Sequence, residues 1–284
     1  GSVSLEHLKN IRAKGLTIAG TRHVSRRRLT LYAAYHRLCA EYIEPLTKHS
    51  GSTLVFLHEG FGSIPQWGDF PCELSIATGC PALVYERWGY GNSDPLTEPL
   101  TLRYMHEEAL YSLPQVLTQC SISDVILIGH SDGGSIALIF AAQYSEMVRG
   151  VITEAAHVFI EEITMEGILQ AVRAYESTHF KELLARYHGD NTEMMFRSWT
   201  DLWLSPESWG WNIEEYLPKI TCPLLAFQGE DDEYGTLAQV KAIAEQVSGP
   251  VKTVLIPKCA HIPHQQARET VLSEMTGFIT TIMC

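Results

Sequence analysis

No apolar run in this chain approaches the roughly 18 residues that a membrane-spanning helix requires, so no such helix is expected. The opening residues lack a charged segment followed by an apolar one, so no signal peptide is read, and Gly1-Ser2 looks like a cloning scar. Basic charge is scarce: 21 Lys and Arg stand against 33 Asp and Glu, a net charge of −12. The one basic cluster, Arg26-Arg27-Arg28, is too small to neutralise several phosphates and reads as a solvated turn. Nucleic acid and membrane are therefore not expected as partners. The seven cysteines are odd in number, widely spaced and without a Cys-x-x-Cys pair. That pattern argues against a disulfide framework and fits free thiols in a reducing cytoplasm. A dinucleotide glycine fingerprint is missing, and the short-spaced pair His261 and His264 has no nearby third metal ligand. Neither a cofactor nor a metal is expected.

What is present is ordinary for a globular enzyme: 284 residues, 45% hydrophobic and 19% charged, enough for one large α/β domain with an insertion. After about residue 50, short apolar runs alternate with helical stretches. The runs are Thr53 to His58, Ala82 to Glu86, Asp124 to Ile128, Val148 to Thr153, Leu224 to Gln228 and Val251 to Ile256. Trp67, Phe70, Leu74 and Ile76 recur at roughly helical spacing, and helices are read over 102 to 119, 236 to 247 and 267 to 282. Strands apolar on both faces with helices between them predict a doubly covered, mostly parallel sheet of the α/β class. Periodicity leaves Leu29 to Ile43 open between a helix and a pair of edge strands.

One segment breaks the alternation. From Glu161 to Trp211 no strand-like run occurs, while Met and aromatic residues recur, among them Phe180, Phe196, Trp199 and Trp203. The expectation is a helical lid over 161–211, inserted in a core domain formed by 1–160 and 212–284.

The most specific signal is Gly129-His130-Ser131-Asp132-Gly133, set between an apolar strand run and a helix-forming run. The five-residue pattern alone arises by chance in roughly one chain of this length in ten. With the strand before it, Gly134 behind it and the helix after it, it describes a tight turn. Such a turn pushes the Ser131 hydroxyl outward and leaves the next N–H at a helix N-terminus. A serine nucleophile needs a base, and the base an orienting carboxylate. Both should stand in loops after later strands, where Gly229-Glu-Asp-Asp-Glu-Tyr-Gly235 and the loop holding His261 and His264 lie.

Over about residues 50 to 284 the chain resembles the α/β-hydrolase fold. The resemblance rests on His58-Glu-Gly-Phe-Gly-Ser63, Arg87-Trp-Gly-Tyr-Gly-Asn-Ser93, the serine turn, Gly229-Glu-Asp-Asp232 and Ala260-His261. It implies Asp232 as the acid, ahead of Asp231, and His261 as the base, ahead of His264, which it leaves as a rim or supporting residue. His130 is implied to be a packing residue and His58 a brace for its loop. The oxyanion hole would use the N–H groups of Asp132 and Gly60, with Phe61 as the alternative to Gly60. Glu59 stands where many relatives have glycine, and its role stays open.

The implied reaction is acyl transfer through Ser131. The substrate expected is a small to medium, largely apolar ester, lactone or thioester, held by Phe61, His157, Trp199 and Trp203. For His157 a hinge-packing role is an equal reading. The alternatives are cleavage of a carbon–carbon bond in a ring-cleavage product, against which His130 and Ile262 count, and a binding protein without catalysis. A homodimer stays open.

Overall fold

The computed structural model describes residues 23–48 and 51–283, so the expectation for Gly1-Ser2 lies outside it. Eight strands form one sheet in the order β1-β2-β4-β3-β5-β6-β7-β8. They span Val24–Ala33, His36–Pro45, Thr53–Leu57, Ala82–Tyr85, Val125–His130, Val148–Glu154, Leu224–Gly229 and Val251–Ile256, numbered β1 to β8. From β4 through β8 all neighbours are parallel, while β1 and β2 pair antiparallel with each other and β2 with β4. Parallel pairing brings the carboxyl ends of β3, β5, β6, β7 and β8 to one edge of the sheet.

The apolar runs have this form because the central strands have no solvent face. Every residue of β3 and β5 is buried. Leu54, Phe56, Ile126 and Ile128 pack with Phe70, Leu74, Val271 and Met275 on one side. The alternate residues Val55, Leu57, Val125 and Leu127 pack with Leu113, Ile136 and Phe140 on the other. Helices cover both faces, as two-residue alternation between two cores requires.

Residues 29 to 43 resolve as strands, β1 and β2 joined at Ala34 and Tyr35, both with positive φ (49° and 71°). Arg26, Arg27 and Arg28 therefore lie within β1, not in a turn, and Arg26 pairs with Glu41 at 2.6 Å. No Gly, Asn or Pro marks the actual turn, so the usual signal was missing from the sequence. The helix read over 102 to 119 runs from Tyr104 to Gln119 with a π-helical turn at Glu108–Ser112. The later helices are Leu237–Gln246 and Arg268–Met283.

Between β6 and β7 the chain leaves the sheet and folds into helices Glu162–Ser177, Phe180–His188 and Thr192–Leu204. A bridge between Phe159 and Asn212 closes the base of this segment. All six described cysteines are free thiols. Among the described residues no helix is long and apolar enough to cross a membrane.

Candidate active site

Ser131 stands at the junction of β5 and the helix Asp132–Gln143 with φ 54° and ψ −115°. A non-glycine residue held there costs on the order of 1–3 kcal/mol and persists only when its surroundings over-determine it. They do: the Ser131 amide donates to the Glu154 carbonyl at 2.8 Å, and the Ser131 carbonyl accepts from Gly134 and Ser135. The turn closes this tightly because its flanks carry no Cβ. A methyl at Gly129 would stand 2.2 Å from the Gly133 carbonyl oxygen, and one at Gly133 would stand 1.9 Å from that of Leu57.

The turn aims the Ser131 hydroxyl at the loop after β8, where Oγ lies 2.9 Å from His261 Nε2. His261 Nδ1 faces both oxygens of Asp232, at 2.9 and 3.0 Å. Asp232 in turn accepts from the Tyr234 amide at 2.8 Å and from Gln228 Nε2 at 3.0 Å. All three side chains are buried. Asp231, the alternative acid, is exposed at the outer side of the same loop. Burial works against a charged His261 imidazole, yet the charge of Asp232 and its hydrogen bond outweigh it and push the histidine up to about 9. Burial likewise opposes charge on Asp232, but His261 beside it holds the carboxyl below its usual range.

The remaining histidines separate by their partners. His130 Nε2 lies 2.7 Å from the His261 carbonyl oxygen, so it anchors the backbone of the residue facing Ser131 and does more than pack. His264 is not a rim residue. It is buried against the end of β6, where Nδ1 and its amide meet the Glu154 carboxylate at 2.9 and 2.7 Å. His58 donates from Nδ1 to the Glu59 carbonyl at 2.7 Å and accepts the Arg87 amide on Nε2 at 3.1 Å. The Arg87 guanidinium donates to the carbonyls of His58 and Glu59. The loop after β3 is thereby pinned by its carbonyls. The amides of Gly60 and Asp132 are left with no acceptor among the described residues.

A cavity opens over Ser131. Phe61, His157, Trp199 and Trp203 all border it, as do Glu59 and Tyr234. His157 Nε2 lies 2.9 Å from the Tyr234 carbonyl oxygen, and burial lowers its pKa. Trp199 lies so close to Gly60 that a Cβ there would stand 2.7 Å from the indole.

One residue of this site, Tyr104, had no signal in the sequence. The Asp132 carboxylate accepts from the Tyr104 hydroxyl and from Trp199 Nε1 (2.9 Å), and Trp203 Nε1 donates to Tyr104 at 3.2 Å. Nothing local in the helix from Tyr104 marks that tyrosine. Glu154 was more visible, as a carboxylate ending the apolar run Val151-Ile-Thr. One cluster could offer metal ligands: Glu59, His130 and His261 present donor atoms within 4.8 Å of one another. In this structure both His261 nitrogens already face Ser131 and Asp232, and His130 Nε2 faces a carbonyl.

A family model described as the alpha/beta hydrolase family matches residues 54–274. A proline iminopeptidase of Saccharolobus solfataricus is 24% identical over 274 residues, covering 83% of this chain and 87% of that protein. Among solved structures, MGS-M2, an alpha/beta hydrolase enzyme from a Medee basin deep-sea metagenome library, superposes with a TM-score of 0.71. Its identity is 17%, with 88% of this chain and 96% of that one covered. A thermophilic esterase from Thermogutta terrifontis gives a TM-score of 0.65 at 16% identity, covering 91% of this chain and all of that one. Sheet order, serine turn and family match agree, and the chain belongs to the alpha/beta hydrolase family.

Proposed function

We propose that this chain is a serine hydrolase that cleaves a small to medium, largely apolar carboxylic ester, lactone or thioester through an acyl-enzyme. The observation that carries the reading is the unbroken series from the Ser131 hydroxyl through the His261 imidazole to the Asp232 carboxylate, with contacts of 2.9 to 3.0 Å. In this reading Ser131 attacks the carbonyl carbon as His261 takes its proton. The amides of Gly60 and Asp132 receive the oxyanion, each donor contributing on the order of 3 kcal/mol to the transition state. His261 then protonates the leaving group, and a water deprotonated by the same imidazole releases the acid. Asp232 holds the tautomer that keeps Nε2 free to accept. The aromatic walls Phe61, Trp199 and Trp203 favour an apolar acyl group.

The relative named proline iminopeptidase supports a second reading, in which the bond cleaved is an amide. Nitrophenyl esters from acetate to decanoate, set beside aminoacyl nitroanilides, separate the two. Turnover of the esters is expected, falling by about 10⁴-fold or more in Ser131→Ala. Ester turnover that survives the substitution would refute the proposed role of Ser131.

A further inference from the structure

A carboxylate taken out of water is costly unless something answers its charge. Around this site nearly every acid is answered. Asp232 faces His261, Asp132 accepts from Tyr104 and Trp199, Glu154 holds His264, and Glu233 accepts the His261 amide at 3.2 Å. Glu59 differs. It is half-buried and borders the cavity, and among the described residues its carboxylate makes no hydrogen bond and no ion pair. Burial raises its carboxyl above the usual range, although the nearby charge of His261 works the other way. No lysine or arginine borders the cavity, and the nearby Arg87 is occupied with backbone carbonyls.

Its place in the site says which part of a substrate would meet it. One Glu59 oxygen lies within 4.8 Å of a ring nitrogen of His261 and of His130. The leaving heteroatom must come within hydrogen-bond reach of the His261 ring to receive its proton. A leaving group therefore passes beside Glu59.

We propose that Glu59 is a specificity-determining residue that selects substrates whose leaving group carries a positive charge, such as an ester of an ammonium-bearing alcohol. The inference rests on the ester-hydrolase reading and narrows it: an apolar acyl group fills the aromatic cavity while the cation meets Glu59. In a low-dielectric pocket the attraction between these charges is far larger than in water, and the ring of Tyr234 on the cavity wall adds a face for the cation. An anionic leaving group is repelled by the same carboxylate.

The test compares two butyrate esters of equal shape, those of choline and of 3,3-dimethylbutanol, which differ by one charge. Wild type is expected to prefer the choline ester by about tenfold or more in kcat/KM, mostly through KM. In Glu59→Gln the ratio of the two values should fall to about one. Because each ratio is taken within one protein, partial loss of folding does not affect it. Equal use of the esters by wild type, or a preference that survives in Glu59→Gln, would overturn the proposal. Calorimetry on Ser131→Ala, with choline and 3,3-dimethylbutanol as probes, reads the cation site without turnover. Choline binding there that is lost on adding Glu59→Gln, with no ester cleaved by wild type, would sink the ester reading and keep the cation site. Cleavage of both esters without charge preference would do the reverse.

Discussion

At the residue scale, the pairing of His261 with Asp232 makes a directional claim about pH. In the proposed reaction His261 must be neutral to accept the Ser131 proton, and its neighbours hold it protonated up to about 9. kcat/KM should therefore rise with pH, along a limb whose midpoint lies above the 6.5 of an ordinary histidine. Replacing Asp232 with Asn removes the charge responsible, so the midpoint should fall while the rate drops by about 10⁴-fold. A pH profile of each protein checks both outcomes, and a wild-type midpoint below 6.5 would contradict the first. A second buried carboxylate, Glu154, answers the ring and amide of His264. Glu154→Ala leaves both without a partner inside the protein, and urea unfolding should show a loss of about 2–4 kcal/mol. An unchanged midpoint would mean that water replaces the carboxylate. The serine was readable because small residues cluster around it in sequence. Asp232 and His261 needed the family pattern as well, since nothing local separates Asp231 from Asp232 or His261 from His264.

At the scale of elements, the junction of β5 with the helix Asp132–Gln143 depends on backbone approach. The Gly133 position faces the Leu57 carbonyl of β3, not a flexible side chain that could move aside. Gly133→Ala should therefore push helix and strand apart and tilt the Asp132 amide. The expected outcome is a fall of at least about 100-fold in kcat, consistent with a displaced oxyanion donor, together with lower thermal stability. Unchanged kcat in the folded variant would show that the strand yields without cost to the site. Central strands were easy to read because burial on both faces leaves an uninterrupted apolar run. The β1–β2 hairpin was not, because Ala34 and Tyr35 take positive φ without the residues that usually announce such a turn.

At the scale of the whole molecule, the helical segment between β6 and β7 is clasped to the sheet loops by a few polar contacts. His188 Nε2 donates to the Phe61 carbonyl at 2.8 Å, and its Nδ1 accepts the Gly91 amide at 2.9 Å. Asn191 Nδ2 donates to the carbonyls of Gly91 and Ser93. Burial lowers His188 to about 4, so the ring stays neutral and can both donate and accept at neutral pH. His188→Ala removes two of these bonds, and each orphaned group costs about 1–3 kcal/mol. Limited proteolysis should then cut within 180–204 faster than in wild type, and KM should rise several-fold as the aromatic wall loosens. Identical cleavage patterns would show that the segment is held without the two His188 bonds.

Chemistry written in adjacent residues could be read along the chain: the serine turn, the apolar strands, and a strand-free stretch rich in aromatics. Those features depend on backbone sterics and periodicity, which act over a few residues. Three-dimensional packing was needed to bring Tyr104, Trp199 and Asp132 together, to turn His264 toward Glu154, and to leave Glu59 at the cavity with its carboxylate making no hydrogen bond among the described residues. Those relations join residues up to 110 positions apart, as His264 and Glu154 are. They arise because parallel strands deliver distant loops to one edge of the sheet, a placement that no local pattern encodes.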